Sequence, residues 1–180
     1  CAGFAGETLA GDLAAADAAD RAAERASSSR SALPSGRDSY RQYVDFTDEL
    51  KALAQAHPAL VRPVVLGSSL EGRPIEGVEI ATEVRRADDG RPVFLNLGAH
   101  HAREWPSAEF PMEYARDLVA AHEDAGHPLH ARALALLAAV RVVIVPVVNV
   151  DGFIASRSFG TSPLDDAALA TLPQSAAGSG

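Results

Sequence analysis

Cysteine, methionine and lysine each occur once in the 180 residues, and each scarcity closes off a reading. Cys1 has no partner in the chain, so no intrachain disulfide framework exists and cysteine usage sets no redox compartment. Met112 is the sole methionine, so the chain does not open on an initiator and is expected to be a processed product or a piece of something longer. A lipid-bearing mature cysteine is one reading of Cys1; an arbitrary boundary is the expected one, because no signal peptide precedes it. Lys51 is the only lysine, the arginines are scattered, and the formal net charge is −8. That balance excludes a nucleic-acid binder, which needs clustered cations against phosphate. No apolar run approaches the roughly 20 residues of a membrane span.

What is present divides into two unequal parts. Residues 1–37 are Ala-rich and low in complexity, with no bulky apolar stripe and a Ser/Pro/Gly end that reads as a linker. This part is expected to be a disordered leader or the tail of a pro-segment. Residues 38–180 form the folded part. Tyr43, Phe46, Leu50 and Leu53 recur at helical spacing before Pro58. "VRPVVLGSS" and "IEGVEIAT" then read as two strands of a hairpin about the "LEGRP" turn. "VFLNLG" reads as a short buried strand. Phe110, Tyr114 and Leu118 mark a helix expected to begin close to Pro111, since proline is tolerated in a first turn and not later. "PLHARALALLAAV" is a second helical segment, and the β-branched "RVVIVPVVN" reads as a strand buried on both faces.

The order of helix, hairpin, strand, two helices and strand predicts an α/β fold, a mixed β-sheet flanked by helices. Its final crossover places strands 92–97 and 141–148 parallel in one sheet. Parallel strands end on one edge, and ligands in open α/β sheets bind at the carboxyl edge. "GAHHARE" follows the first strand and "NVDGF" the second, so both polar clusters are expected on one rim.

Within the first cluster, His101 and Glu104 stand three residues apart where a loop turns into a helix. There an imidazole and a carboxylate can converge on one point, and both are donors that zinc accepts at about 2.0–2.2 Å. His100 is a competing donor, and Arg103 is a fixed positive charge suited to a substrate carbonyl or carboxylate. H-x-x-E alone is a weak signal, because a Glu near a helix start often only complements the helix dipole.

The longer string "LGAHHAREWPS" resembles the first metal-binding motif of the zinc metallocarboxypeptidases, the carboxypeptidase A-like peptidases. "GSSLEGRPI" and "PVVNVDGF" resemble further segments of that family, the latter with Val150 where proline is commoner; the match runs in order from about residue 39 to about 155. The resemblance implies the zinc carboxypeptidase α/β/α fold, of which this chain would be the N-terminal half. It implies one Zn2+ held here by His101 and Glu104, with Arg103 binding substrate. Asn149, Asp151 and Gly152 match a segment that shapes the rim, and a turn after the strand is the preferred reading there. Trp105 is expected to pack, and His57, His122, His127 and His130 to be non-catalytic.

The family's third zinc ligand, its carboxylate-gripping arginine segment and its general-base glutamate have no counterpart in these residues, and Arg157 follows Asn149 too soon to serve. The expected function is therefore removal of C-terminal residues from peptides or proteins by the parent enzyme, with this chain inactive alone. A zinc-dependent amidohydrolase or deacylase, or a non-catalytic binding module on the same scaffold, are the alternatives. An extracellular location is implied by the resemblance only.

Overall fold

The computed structural model describes Ala15, Ala19 and residues 35–37, 39–86 and 89–158. Most of the expected leader and everything after Ser158 lie outside the described residues. Among the described residues eight elements follow in order: α1 Tyr43–Ala56, β1 Val61–Ser68, β2 Pro74–Ile80, β3 Val93–Leu97, α2 Trp105–Glu123, α3 His130–Ala139, β4 Arg141–Val145 and α4 Val150–Ser158.

The strands make one sheet in the order β1-β2-β4-β3. β1 and β2 are the antiparallel hairpin, β2 pairs antiparallel with β4, and β3 pairs parallel with β4 from Val93↔Arg141 to Leu97↔Val145. The parallel pair is as the crossover predicts. β4 stops at Val145 because Pro146 has no N–H to continue the ladder. Its residues are nearly all buried, as a β-branched strand between neighbours on both edges should be.

One sheet face carries Val61, Val78, Ile80, Val142 and Ile144, all buried. These join a single apolar cluster with Phe46, Leu50 and Leu53 of α1, Met112, Leu118 and Val119 of α2, Leu137 of α3 and Phe153 of α4. Phe46 and Phe153 meet edge to face, 5.8 Å between centroids, so the first and last helices close on the same core. The opposite sheet face is lined by Arg62, Val64, Leu66, Glu79, Arg141 and Val143 around an open hollow.

Three expectations need correction. α2 starts at Trp105, with Pro106 in its first turn, so Pro111 lies inside the helix. Proline at 111 removes the N–H that would bond the Ser107 carbonyl. That carbonyl instead faces Gly98, where an added Cβ would lie only 2.3 Å from it. The buried stripe of α2 is Ala108, Met112, Ala115 and Val119, with Leu118 beside it; Phe110 is exposed. Small residues there let the helix approach the sheet closely. β3 is an edge strand among the described residues, and Val93, Phe94 and Leu95 are about half exposed or more rather than buried.

The entry into α1 is held by charge. Arg41, fully buried, ion-pairs with Glu49, Glu109 and Glu113, joining α1 to α2. Ser35 donates its N–H and hydroxyl to Glu113, and Arg37 reaches Asp45 and Glu49, so the end of the segment read as a linker lies against the same seam. The histidines between α2 and α3 are tied rather than simply solvated. His130 Nδ1 lies 2.8 Å from the Ala121 carbonyl and His127 Nε2 3.3 Å from Asp117, which closes the turn between the two helices.

Candidate metal centre

β3 and β4 end side by side, and the two polar clusters that follow them meet there through the backbone. Gly98 N–H donates to the Val145 carbonyl, Val148 N–H to Gly98, and Asn149 N–H to Ala99. The Asn149 side-chain amide adds a bond to the His100 carbonyl at 3.1 Å. The rim expected from strand order is therefore one hydrogen-bonded unit.

Its tightest point is Ala99. The residue is buried, and its φ of +45° places it in the left-handed region, at a cost of roughly 1–3 kcal/mol for a non-glycine residue. Two bonds hold it there: its N–H donates to Ser107 Oγ at 3.0 Å, and its carbonyl accepts from Asn149. Ser107 in turn donates to the Glu104 carbonyl at 2.6 Å, so one hydroxyl spans the loop from its strand end to its helix start. The reversal at Ala99 turns the chain out of the sheet and presents residues 100–104 at the rim.

On that loop His101 Nδ1 and Glu104 Oε1 lie 2.8 Å apart, both exposed to solvent. The two side chains meet each other directly, as a hydrogen-bonded imidazole–carboxylate pair. Arg103 lies exposed between them in sequence, while the His100 carbonyl, not its ring, carries the bond to Asn149. Trp105 does pack, against the Tyr40 ring at 5.9 Å and the Arg157 guanidinium at 4.3 Å, and it also donates its indole N–H to Ser156 Oγ.

The second cluster differs from the expected turn. Residues 150–158 form α4, and Asn149 caps it, its Oδ1 accepting the Gly152 N–H at 3.1 Å. Gly152 is required by that cap, because a Cβ there would stand 2.7 Å from Asn149 Oδ1. Asp151 points to the hairpin turn, accepting from the Ser69 hydroxyl, the Glu71 N–H and Arg73. Burial alone would raise its carboxyl; the Ser69 hydroxyl, the Glu71 N–H and the Arg73 cation outweigh that and hold it below the usual carboxylate range. "GSSLEGRP" and "NVDG" are thus two halves of one contact.

The donor set suits zinc: a neutral imidazole and a carboxylate are both accepted ligands. Two such donors meet at the rim, and among the described residues no group of three or more His, Cys, Asp or Glu side chains assembles. His101 and Glu104 are donors of the types that would fit two positions of a zinc site.

The zinc carboxypeptidase sequence profile matches residues 46–171, well over half of the chain. The chain belongs to the zinc carboxypeptidase family. It is 29% identical over 122 residues to mast cell carboxypeptidase A of Rattus norvegicus, covering 66% of this chain and 27% of that protein. It is also 29% identical over 118 residues to carboxypeptidase B of Homo sapiens, covering 65% and 26% respectively. Among solved structures, carboxypeptidase A from Helicoverpa armigera aligns at a TM-score of 0.53 and 29% identity, over 78% of this chain and 31% of that one. This zinc carboxypeptidase chain therefore spans about a quarter of the length of the curated relatives it matches.

Sequence reasoning missed Ser107 and Ser156. Ser107 carried a signal, a hydroxyl three residues after Glu104 at a helix start, where such groups bond backbone. Ser156 carried none, because the two partners that tie it to the loop are 51 and 54 residues away.

Proposed function

We propose that this chain supplies two zinc ligands and a substrate-binding arginine to a metallocarboxypeptidase, an enzyme that releases C-terminal residues from peptides or proteins. The observation that carries the proposal is the convergence of His101 Nδ1 and Glu104 Oε1 at the carboxyl edge of β3, in a chain of the zinc carboxypeptidase family. His101 and Glu104 would hold one zinc ion. When bound, the ion supplies a Lewis acid for the scissile carbonyl. Arg103, a permanent cation on the same loop, orients the substrate through its carbonyl or terminal carboxylate. The third ligand and the general base come from groups outside the described residues. Residues 1–37 act as a leader and 38–180 as part of the catalytic domain, in an extracellular setting. Among the described residues no helix is long and apolar enough to cross a membrane.

The test is zinc binding by competitive chelation, run beside hydrolysis of an N-blocked peptide with a free C-terminus. Two donors predict binding at micromolar affinity or weaker, lost in His101→Ala, and no turnover by this chain. Zinc binding equal in the wild type and His101→Ala would sink the ligand assignment. Turnover by the chain that a chelator cancels and Glu104→Ala abolishes would show the chain to be a complete catalyst.

A further inference from the structure

The two proposed zinc donors have little to hold them. The His101 and Glu104 side chains are 78% and 56% exposed, and they follow a backbone reversal at Ala99 that is unfavourable in itself. The loop's shape must therefore come from anchors outside it. Asn149 and Ser107 fix its beginning at Ala99 and His100, and Ser107 also holds the Glu104 carbonyl. The chain just beyond each donor, at Ala102 and Trp105, is held by a further contact.

We propose that Ser156 is the positioning residue for His101 and Glu104, acting through the two residues that directly follow them; the proposal rests on the zinc reading above. Ser156 Oγ, on α4, lies 2.5 Å from the carbonyl of Ala102, the residue after His101. The same oxygen accepts the indole N–H of Trp105, the residue after Glu104, at 2.9 Å. One nearly buried hydroxyl thus grips the chain just beyond each donor and sets the span between them.

The hydroxyl's capacity fits this use. It has one proton to give, and two carbonyls are in reach, Ala102 at 2.5 Å and Phe153, three residues earlier on its own helix, at 2.9 Å. The shorter contact takes the proton, while the lone pairs remain for Trp105. The indole cannot swing away, because Arg157 stacks over its face at 4.3 Å and the Tyr40 ring meets it edge-on. α4 is in turn fixed by the Asn149 cap and by Phe153 in the core. The span between the donors is referred in this way to the rigid part of the fold.

The experiment uses the full chain, with Zn2+ alone as probe, in the wild type, Ser156→Ala, Ser156→Thr and Trp105→Phe. Ser156→Ala deletes both bonds, whereas Ser156→Thr keeps the hydroxyl. Loss of a group that orients a metal ligand typically costs about tenfold or more in metal affinity, so Ser156→Ala should weaken zinc binding by about that factor and Ser156→Thr should restore it. Trp105 is the only tryptophan, so its emission reports the same contact directly: it should shift in metal-free Ser156→Ala and return in Ser156→Thr. Wild-type affinity in Ser156→Ala, or a threonine variant as weak as the alanine, overturns the proposal. If Ser156→Ala does not fold, Trp105→Phe removes only the indole N–H from the pair, and unchanged zinc affinity in it is equally fatal. Should the wild type bind no zinc, the functional reading falls by itself. Amide hydrogen exchange over residues 101–105 without metal then decides the role of Ser156: faster exchange in the alanine variant and recovery in the threonine variant support it, and no change overturns it.

Discussion

Arg41 Nη2 stands 2.8 Å from Glu113 Oε1 in the seam between α1 and α2, with none of the arginine exposed. Glu49 and Glu109 share the same guanidinium. Burial would by itself lower the arginine's pKa; the three carboxylates outweigh it and push the group upward, so the cation is permanent. Arg41→Met should therefore leave Glu109 and Glu113 without their counter-charge, while Glu49 keeps Arg37 and Arg116. Breaking a buried ion pair from one side costs about 3–5 kcal/mol, most of it the penalty of the stranded charge. Urea unfolding at neutral pH measures it, and a midpoint matching the wild type would show that water reaches the seam.

Acid should destabilise the fold through specific carboxylates. Asp89 is held well below the usual carboxylate range, first by the Arg91 side chain and further by Arg141, with burial opposing them. Asp151 is lowered in the same sense. A group with a depressed folded pKa gives stability that is full above its unfolded value, about 3.9 for Asp, and is lost as pH falls toward the folded value. Glu109 runs the other way: burial raises it despite Arg41, so its share of stability declines as pH rises through its folded value. The expected result is an unfolding midpoint that drops between about pH 5 and pH 2, with a shallower drop in Asp89→Asn. Equal acid slopes for the two proteins would contradict the assignment to Asp89.

Most of the frame was legible because it rests on local pattern. The β-branched run "RVVIVPVVN", read as a strand over 141–148 and ending at Val145, the hairpin about "LEGRP" and the 46/50/53 stripe each state their own element, and strand order then puts "GAHHARE" and "NVDGF" on one rim. Misreadings came where a distant partner decides. Local rules exclude Pro111 from a helix interior and so read it as a helix start, yet α2 runs through it with the Ser107 carbonyl facing Gly98. β3 is as apolar as a buried strand, and only its place in the sheet shows it at the edge. At the site, the His101/Glu104 spacing was readable, whereas Ser156 reaches the loop from a helix more than fifty residues on.

At Gly98 the loop meets α2 and the segment that follows β4. A Cβ there would stand 2.3 Å from the Ser107 carbonyl oxygen and 2.5 Å from that of Pro146, both main-chain atoms that cannot rotate aside. Gly98→Ala should cost about 1–3 kcal/mol, the usual penalty for overpacking. It should also weaken zinc binding, since the displaced segment leads directly into residues 99–104. Gly126→Ala is the control, as its nearest neighbour at 3.2 Å is a flexible Asp124 side chain. Equal stability for Gly98→Ala and the wild type would mean that α2 can move off the sheet without loss.

The sheet's two edges are not equally protected. β1 carries Pro63 and a register irregularity between Val65 and Ser68, both of which discourage further pairing. β3 has neither, and its Val93, Phe94 and Leu95 are 60%, 52% and 49% exposed. Among the described residues nothing pairs with its outer edge, which offers main-chain groups beside apolar side chains, a template for another strand. The chain should self-associate as its concentration rises, through this edge and not through β1. Placing charge there opposes it by desolvation and by repulsion between copies, so Leu95→Lys should lower the association measured by light scattering. Leu66→Lys, on the protected edge, should leave it unchanged. A wild type whose scattering mass stays constant over a wide concentration range, or equal effects of the two substitutions, would remove β3 as the associating edge.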